Sequence, residues 1–163
     1  MKKIIAILAV AIIGMQFATN ASAIEPQWSK GTMVGGVMGG IDPWYASVGY
    51  IYFGGIAFAD YVLVDSWWMG HFTVGGQFGF EAGKSWSVMS AAPRVTYGLN
   101  LTDKFEVHAG FASGWGFGKY WSGFYSSEFV GMHYFFSDSM AFSAQVGYAS
   151  YSPAVTAGIS FKF

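Results

Sequence analysis

Along residues 24–163, apolar side chains alternate with small or polar ones. Near the C-terminus Val155, Ala157, Ile159, Phe161 and Phe163 fall on one side, with Thr156, Gly158, Ser160 and Lys162 on the other. Phe142, Ala144, Val146 and Tyr148 alternate with Ser143, Gln145, Gly147 and Ala149; Phe105, Val107, Ala109 and Phe111 oppose Glu106, His108, Gly110 and Ala112. Val95, Tyr97 and Leu99 oppose Arg94, Thr96, Gly98 and Asn100, and Phe72, Val74, Phe78 and Phe80 oppose Thr73, Gly75, Gln77 and Glu81. A period of two sends successive side chains to opposite faces, so each segment reads as a β-strand with one apolar face.

Breaks in the alternation set the strand count. Short connections are expected near 65–70, 100–103 and 137–139, and longer aromatic or Gly-rich ones near 42–53, 81–87, 113–120 and 150–153. Seven connections give eight strands, near 30–41, 54–64, 70–81, 87–100, 104–113, 121–136, 139–150 and 153–163. Ten strands would require uniformly tight loops. Residues 24–163 show neither a repeat at solenoid spacing nor a linker-like shift in composition, so they read as one domain.

Composition decides which face meets solvent. Charged residues make up only 10% of the 163, against 53% hydrophobic and 20% aromatic, with 23 Gly. A water-facing surface calls for roughly 25–35% charged residues, so this chain has too few to cover itself. Disorder is excluded by the aromatic content. A soluble β-sandwich or lipocalin-like barrel would also alternate, but its polar face would carry charge outward; here that face holds mainly Gly, Ser, Thr, Ala and Gln. In hydrocarbon only helices and closed barrels satisfy their own backbone, and the uncharged stretch 43–59 is broken by Gly49, Gly54 and Gly55. The expected fold is therefore all-β: an eight-stranded antiparallel up-and-down transmembrane β-barrel, apolar outside and polar inside.

The first 23 residues differ in kind. Lys2 and Lys3, an apolar stretch from Ile4 to about Met15, and Ala21-Ser22-Ala23 form the three-part pattern of a secretory signal peptide, with cleavage expected after Ala23. The apolar stretch is shorter than the roughly 20 residues of a spanning helix. With no Cys, export implies neither a lipid-anchored N-terminus nor a disulfide framework. Removing Lys2 and Lys3 from the 8 basic residues leaves 6 against 9 acidic ones, and no basic tract suggests nucleic acid as a partner.

On these residues the chain resembles the small eight-stranded outer-membrane barrels of Gram-negative bacteria, the OmpA-membrane-domain and OmpX-like class. The most specific element is the ending Thr156-Ala157-Gly158-Ile159-Ser160-Phe161-Lys162-Phe163, which resembles that class's assembly signal through Thr156, Gly158, Phe161 and Phe163. The resemblance implies a bacterial outer-membrane location, outer-membrane lipid as surroundings, and recognition of the last strand by the barrel assembly machinery, a form of strand addition to a sheet edge. Phe161 and Phe163 also suit an interfacial aromatic girdle.

Candidate chemistry is sparse. His71, His108 and His133 lie on separate expected strands with no i, i+4 partner, so no metal or haem spacing is visible and no cofactor is expected. Two families of outer-membrane barrels remodel lipid A, and the deacylase kind uses a His and a Ser close together on one strand; His71-Phe72-Thr73 is the nearest match, with Thr in place of Ser. No catalytic residue is assigned. Gly35-Gly36 and Gly39-Gly40 lack the strand-to-helix context of a phosphate loop and read as room for bulky neighbours.

The inward positions carry Arg94, Glu106, His108, His133, Lys162 and Glu81, with Asp60 joining them if Tyr61 and Leu63 face outward. Charges in a narrow lumen must pair. An interior polar network is thus expected around Arg94, with Glu106 or Asp60 as partner. Trp44, Tyr45, Tyr50, Tyr52, Trp67, Trp68, Trp115, Tyr120 and Trp121 cluster where strands end, as two interfacial belts would. The expected role is a non-enzymatic barrel with a filled interior, structural or surface-interacting, whose loop ligand is unknown. Lipid A modification and self-association through residues 43–53 are the alternatives.

Overall fold

The alternating segments become eight strands in the computed structural model, which describes residues 28–43, 51–67, 70–83, 86–119, 122–149 and 152–163. They are β1 Met33–Asp42, β2 Tyr52–Trp67, β3 Gly70–Ala82, β4 Ser87–Thr102, β5 Phe105–Gly118, β6 Ser122–Phe135, β7 Met140–Ala149 and β8 Val155–Lys162. Each strand pairs antiparallel with its neighbour in the chain, and β1 pairs with β8, so the sheet closes into an up-and-down barrel. The closing seam runs from Val34↔Lys162 to Ile41↔Val155. It is extended by Phe163, whose N–H donates to the Met33 carbonyl at 2.8 Å. Closure pairs the edges that an open sheet would expose.

The eight-strand expectation holds, with β2 and β5 extending furthest beyond the expected bounds. β5 continues through Gly118, so most of 113–120, expected as a loop, is strand: Gly114↔Tyr125, Trp115↔Phe124 and Phe117↔Ser122 are paired. The glycines there imitate a loop, but Trp115 and Phe117 still alternate outward. β2 likewise runs to Trp67, into the stretch expected as the first short connection, and β3 begins at Gly70. One end of the barrel carries connections 43–51, 83–86, 119–121 and 150–154; the other carries 68–69, 103–104 and 136–139.

The two faces invert the arrangement of a water-soluble protein. Outward side chains include Val37 at 65% exposure, Phe78 at 50%, Phe124 at 66% and Val146 at 49%, distributed around the wall. Inward positions bury Thr73, Gln77, Ser90, Thr96, Asn100, Ser127, Ser143, Gln145, Thr156 and Ser160. An apolar core segment, including Val34, Met38, Ile56, Phe58, Val62 and Phe135, lies under Trp28, which precedes β1 and is buried.

Glycine makes this narrow interior packable. Phe58 lies over its pairing partner Gly36, and Phe129 over Gly110; a Cβ at either glycine would collide with the facing ring. The lumen is therefore filled by pairing large inward residues with absent side chains on the next strand.

Candidate functional site

Among the described residues two polar clusters stand out in the barrel interior, and strand register explains each. Asp60 on β2 and Arg94 on β4 are both paired with Gly75 on β3, which lies between them. Because Gly75 has no side chain, Arg94 Nε reaches within 3.2 Å of Asp60 Oδ2. The guanidinium lies 4.4 Å from the centre of the Phe58 ring and 4.6 Å from that of Phe129, so two aromatic faces enclose the cation. Nη2 donates to Thr96 Oγ1 at 3.4 Å. Contact with Asp60 is chiefly Coulombic: Asp60 Oδ1 and Arg94 Nε and Nη1 have no hydrogen-bond partner among the described residues.

The second cluster lies toward the short-turn end. Glu106 on β5 is paired with Asn100 on β4 and with His133 on β6. His108 follows Glu106 on the same inward face. His71 on β3 and His108 on β5 are both paired with Gly98, on the intervening β4. Glu106 Oε1 lies 3.7 Å from His71 Nε2 and 3.7 Å from His108 Nδ1. Its other oxygen, Oε2, accepts the Trp28 indole N–H. The His108 and His133 rings are 4.5 Å apart and tilted by 30°. His133 Nδ1 is hydrogen-bonded to Ser143 Oγ at 2.6 Å, and Ser143 Oγ to Ser160 Oγ at 2.6 Å.

Glycines again open the space. A Cβ on Gly98 would meet the His71 ring and Glu106 Oε1, and one on Gly131 would meet the His108 ring. A Glu106 oxygen and one ring nitrogen each of His108 and His133 lie within 4.8 Å of one another, so these three residues could hold a metal ion.

The expected interior residues thus separate into two groups. Arg94 pairs with Asp60 and not with Glu106, because Glu106 stands opposite Asn100, roughly 20 Å farther along β4 at about 3.3 Å per residue. Glu106, His108 and His133 gather with His71. Lys162 takes an inward register position opposite Val34, partly buried at the strand end and two residues beyond Ser160. Glu81 is buried on β3 toward the opposite end. In the last strand, Thr156 is buried and donates to Met38 Sδ at 3.8 Å, Gly158 packs on the Val37 and Met38 backbone, and Phe161 and Phe163 face outward.

Trp28, Ser143, Ser160, Gly98 and Gly131 belong to the second cluster although sequence reading assigned them no role there. Alternation already put Ser143 and Ser160 on the polar face; Trp28 precedes the first strand and carries no periodic signal. Trp67 forms an outer aromatic group with Phe72 and Tyr97, at ring distances of 6.0 and 6.2 Å. Tyr52 meets Trp86 at 5.3 Å near the other end. The signal segment 1–23 and Trp44, Tyr45, Tyr50, Trp68, Tyr120 and Trp121 lie outside the described residues.

No family model matches the chain, and no curated protein matches it. Among solved structures it is similar to a chain from work on the de novo design of transmembrane β-barrels. That match has a TM-score of 0.53 and 15% identity, covering 85% of this chain and 99% of the designed one. The chain folds as a transmembrane β-barrel. The likeness carries the fold alone; the apolar exterior and polar interior are this chain's own.

Proposed function

We propose that this barrel is a non-enzymatic integral protein of the Gram-negative outer membrane, anchored by its wall and presenting its longest connection, 43–51, as the surface available for contact. The observation that carries this reading is the inversion of faces. The outer wall exposes Val37, Phe78, Phe124 and Val146, while two buried polar clusters and facing Phe58 and Phe129 occupy the lumen. Small barrels of eight strands have interiors just wide enough for side chains to fill. Outer-membrane lipid is the surrounding partner, and the C-terminal residues Thr156, Gly158, Phe161 and Phe163 support delivery by the barrel assembly machinery.

His71 and Thr73 both point into the lumen, which supports this reading over lipid A modification, since acyl chains run along the outside of the wall. The hydrogen-bonded pair His133 and Ser143 is likewise buried inside. Two measurements test the proposal. Expressed protein should fractionate with the outer membrane, and the purified barrel in planar bilayers should lack a stable conductance. A large, steady single-channel current, or lipid A masses that change with expression, would overturn it.

A further inference from the structure

The buried cluster around Glu106 has the composition and convergence of a metal centre, although no spacing along the chain announces one. We propose that Glu106, His108 and His133 hold a single divalent first-row transition-metal ion of the zinc class, with His71 as the fourth ligand in reach.

Four observations carry the assignment. The donor set is imidazole nitrogen plus one carboxylate oxygen, which suits zinc and its neighbours and not calcium or magnesium, which take oxygen ligands. The separations are close to those of a bound site: with metal–ligand bonds of 2.0–2.1 Å, tetrahedral ligand atoms stand about 3.3 Å apart. Glu106 Oε1 is already 3.7 Å from both His71 Nε2 and His108 Nδ1. One candidate ligand atom each from Glu106, His108 and His133 all lie within 4.8 Å of one another.

Buried groups in the cluster also lack partners. His108 Nδ1 has no hydrogen-bond partner among the described residues although it faces the carboxylate, and the His71 ring also leaves Nδ1 unbonded. Glu106 is buried with no Lys or Arg among the described residues within 4 Å; Arg94 is engaged by Asp60. A carboxylate withdrawn from water is costly without a compensating cation. Finally, the ligands are held from behind as metal ligands usually are. Trp28 donates to the Glu106 oxygen that the histidines do not face, and Ser143 orients the His133 ring. An ion here would tie β3, β5 and β6 together from within and fasten the residues preceding β1 over the short-turn end.

The test uses the untagged full chain, folded in detergent micelles, stripped with EDTA and dialysed. Titration with Zn²⁺ should give about one ion per chain and raise the thermal midpoint. Co²⁺ should produce visible bands of a four-coordinate nitrogen and oxygen site that Zn²⁺ abolishes. Glu106→Gln, His108→Gln and His133→Gln should each weaken binding by on the order of 100-fold, and Trp28→Phe, which keeps the ring but loses the N–H, by about 10–100-fold. Gel migration without boiling reports whether each variant folds. Should the ligand variants fail to fold, X-ray absorption of the zinc-loaded wild type decides: two or more imidazoles in the first shell support the assignment, and a shell without imidazole overturns it. Failure of the wild type to bind stoichiometrically, or unchanged binding in folded His108→Gln and His133→Gln, also overturns it. Neither result bears on conductance or membrane fractionation.

Discussion

Replacing Arg94 by Met is expected to destabilise the barrel far more than removing both charges of its pair. Arg94 and Asp60 are buried, 3.2 Å apart, and no second acid or base is paired with either in the described residues. Loss of Arg94 strands the Asp60 carboxylate, and breaking a buried pair in this way costs about 3–5 kcal/mol. The lost contacts to the Phe58 and Phe129 faces add about 0.5–2 kcal/mol each where the cation is desolvated. Retaining the pair is a different matter. Asp60 Oδ1 and Arg94 Nη1 make no hydrogen bond among the described residues, so the intact arrangement recovers its desolvation cost poorly. The double variant Asp60→Ala/Arg94→Met should therefore lie within about 2 kcal/mol of the wild type, because replacing a buried pair by apolar groups is often neutral or stabilising. The assay is urea unfolding of the barrel in vesicles, followed by gel migration without boiling and arranged as a double-mutant cycle. An Arg94→Met variant within 1 kcal/mol of wild type, or a double variant as unstable as Arg94→Met alone, would refute the reasoning.

Other perturbations probe the wall, the lumen and the last strand. Gly98→Ala should cost about 1–3 kcal/mol by driving a methyl into the His71 ring and Glu106, whereas Gly39→Ala, whose new Cβ would meet nothing nearer than 4.0 Å, should be close to neutral in the same unfolding assay. Val37→Arg, midway along β1 on the outer face, should cost about 2–4 kcal/mol in a bilayer, because arginine at the midplane must leave water. Phe163→Ala should lower the amount of folded protein assembled in cells by more than the loss of one outward, lipid-facing ring costs the refolded protein; an equal loss in both measurements would count against its role in assembly.

The barrel was legible because alternation is local information. Val155 to Phe163, or Phe142 to Tyr148, shows which face is apolar without reference to any other strand. The end of β5 was less legible because Gly114 and Gly116 carry the composition of a turn, and only pairing with Tyr125 and Gly123 reveals a strand. The inward placement of Asp60, Arg94, Glu106, His108 and His133 also followed from alternation, but their grouping did not. Whether Arg94 meets Asp60 or Glu106 depends on register, which the bulges between Val62 and Trp67 and between Asn100 and Thr102 adjust. The convergence of His71, Glu106, His108 and His133 likewise exists only once β3 to β6 are aligned. Trp28 was the least readable member, because a residue ahead of the first strand has no pattern to direct it inward.

The fit of rings onto bare backbone positions has a hereditary consequence. Phe58 rests on Gly36, Phe129 on Gly110 and His108 on Gly131, with each member of a couple on a different strand. A lineage carrying this barrel cannot enlarge one member alone without a clash, nor shrink one alone without a void. Viable descendants should change both together, trading bulk from one strand to its neighbour, so that aligned relatives would reveal the inner wall as couples of positions whose combined volume stays constant while their identities drift.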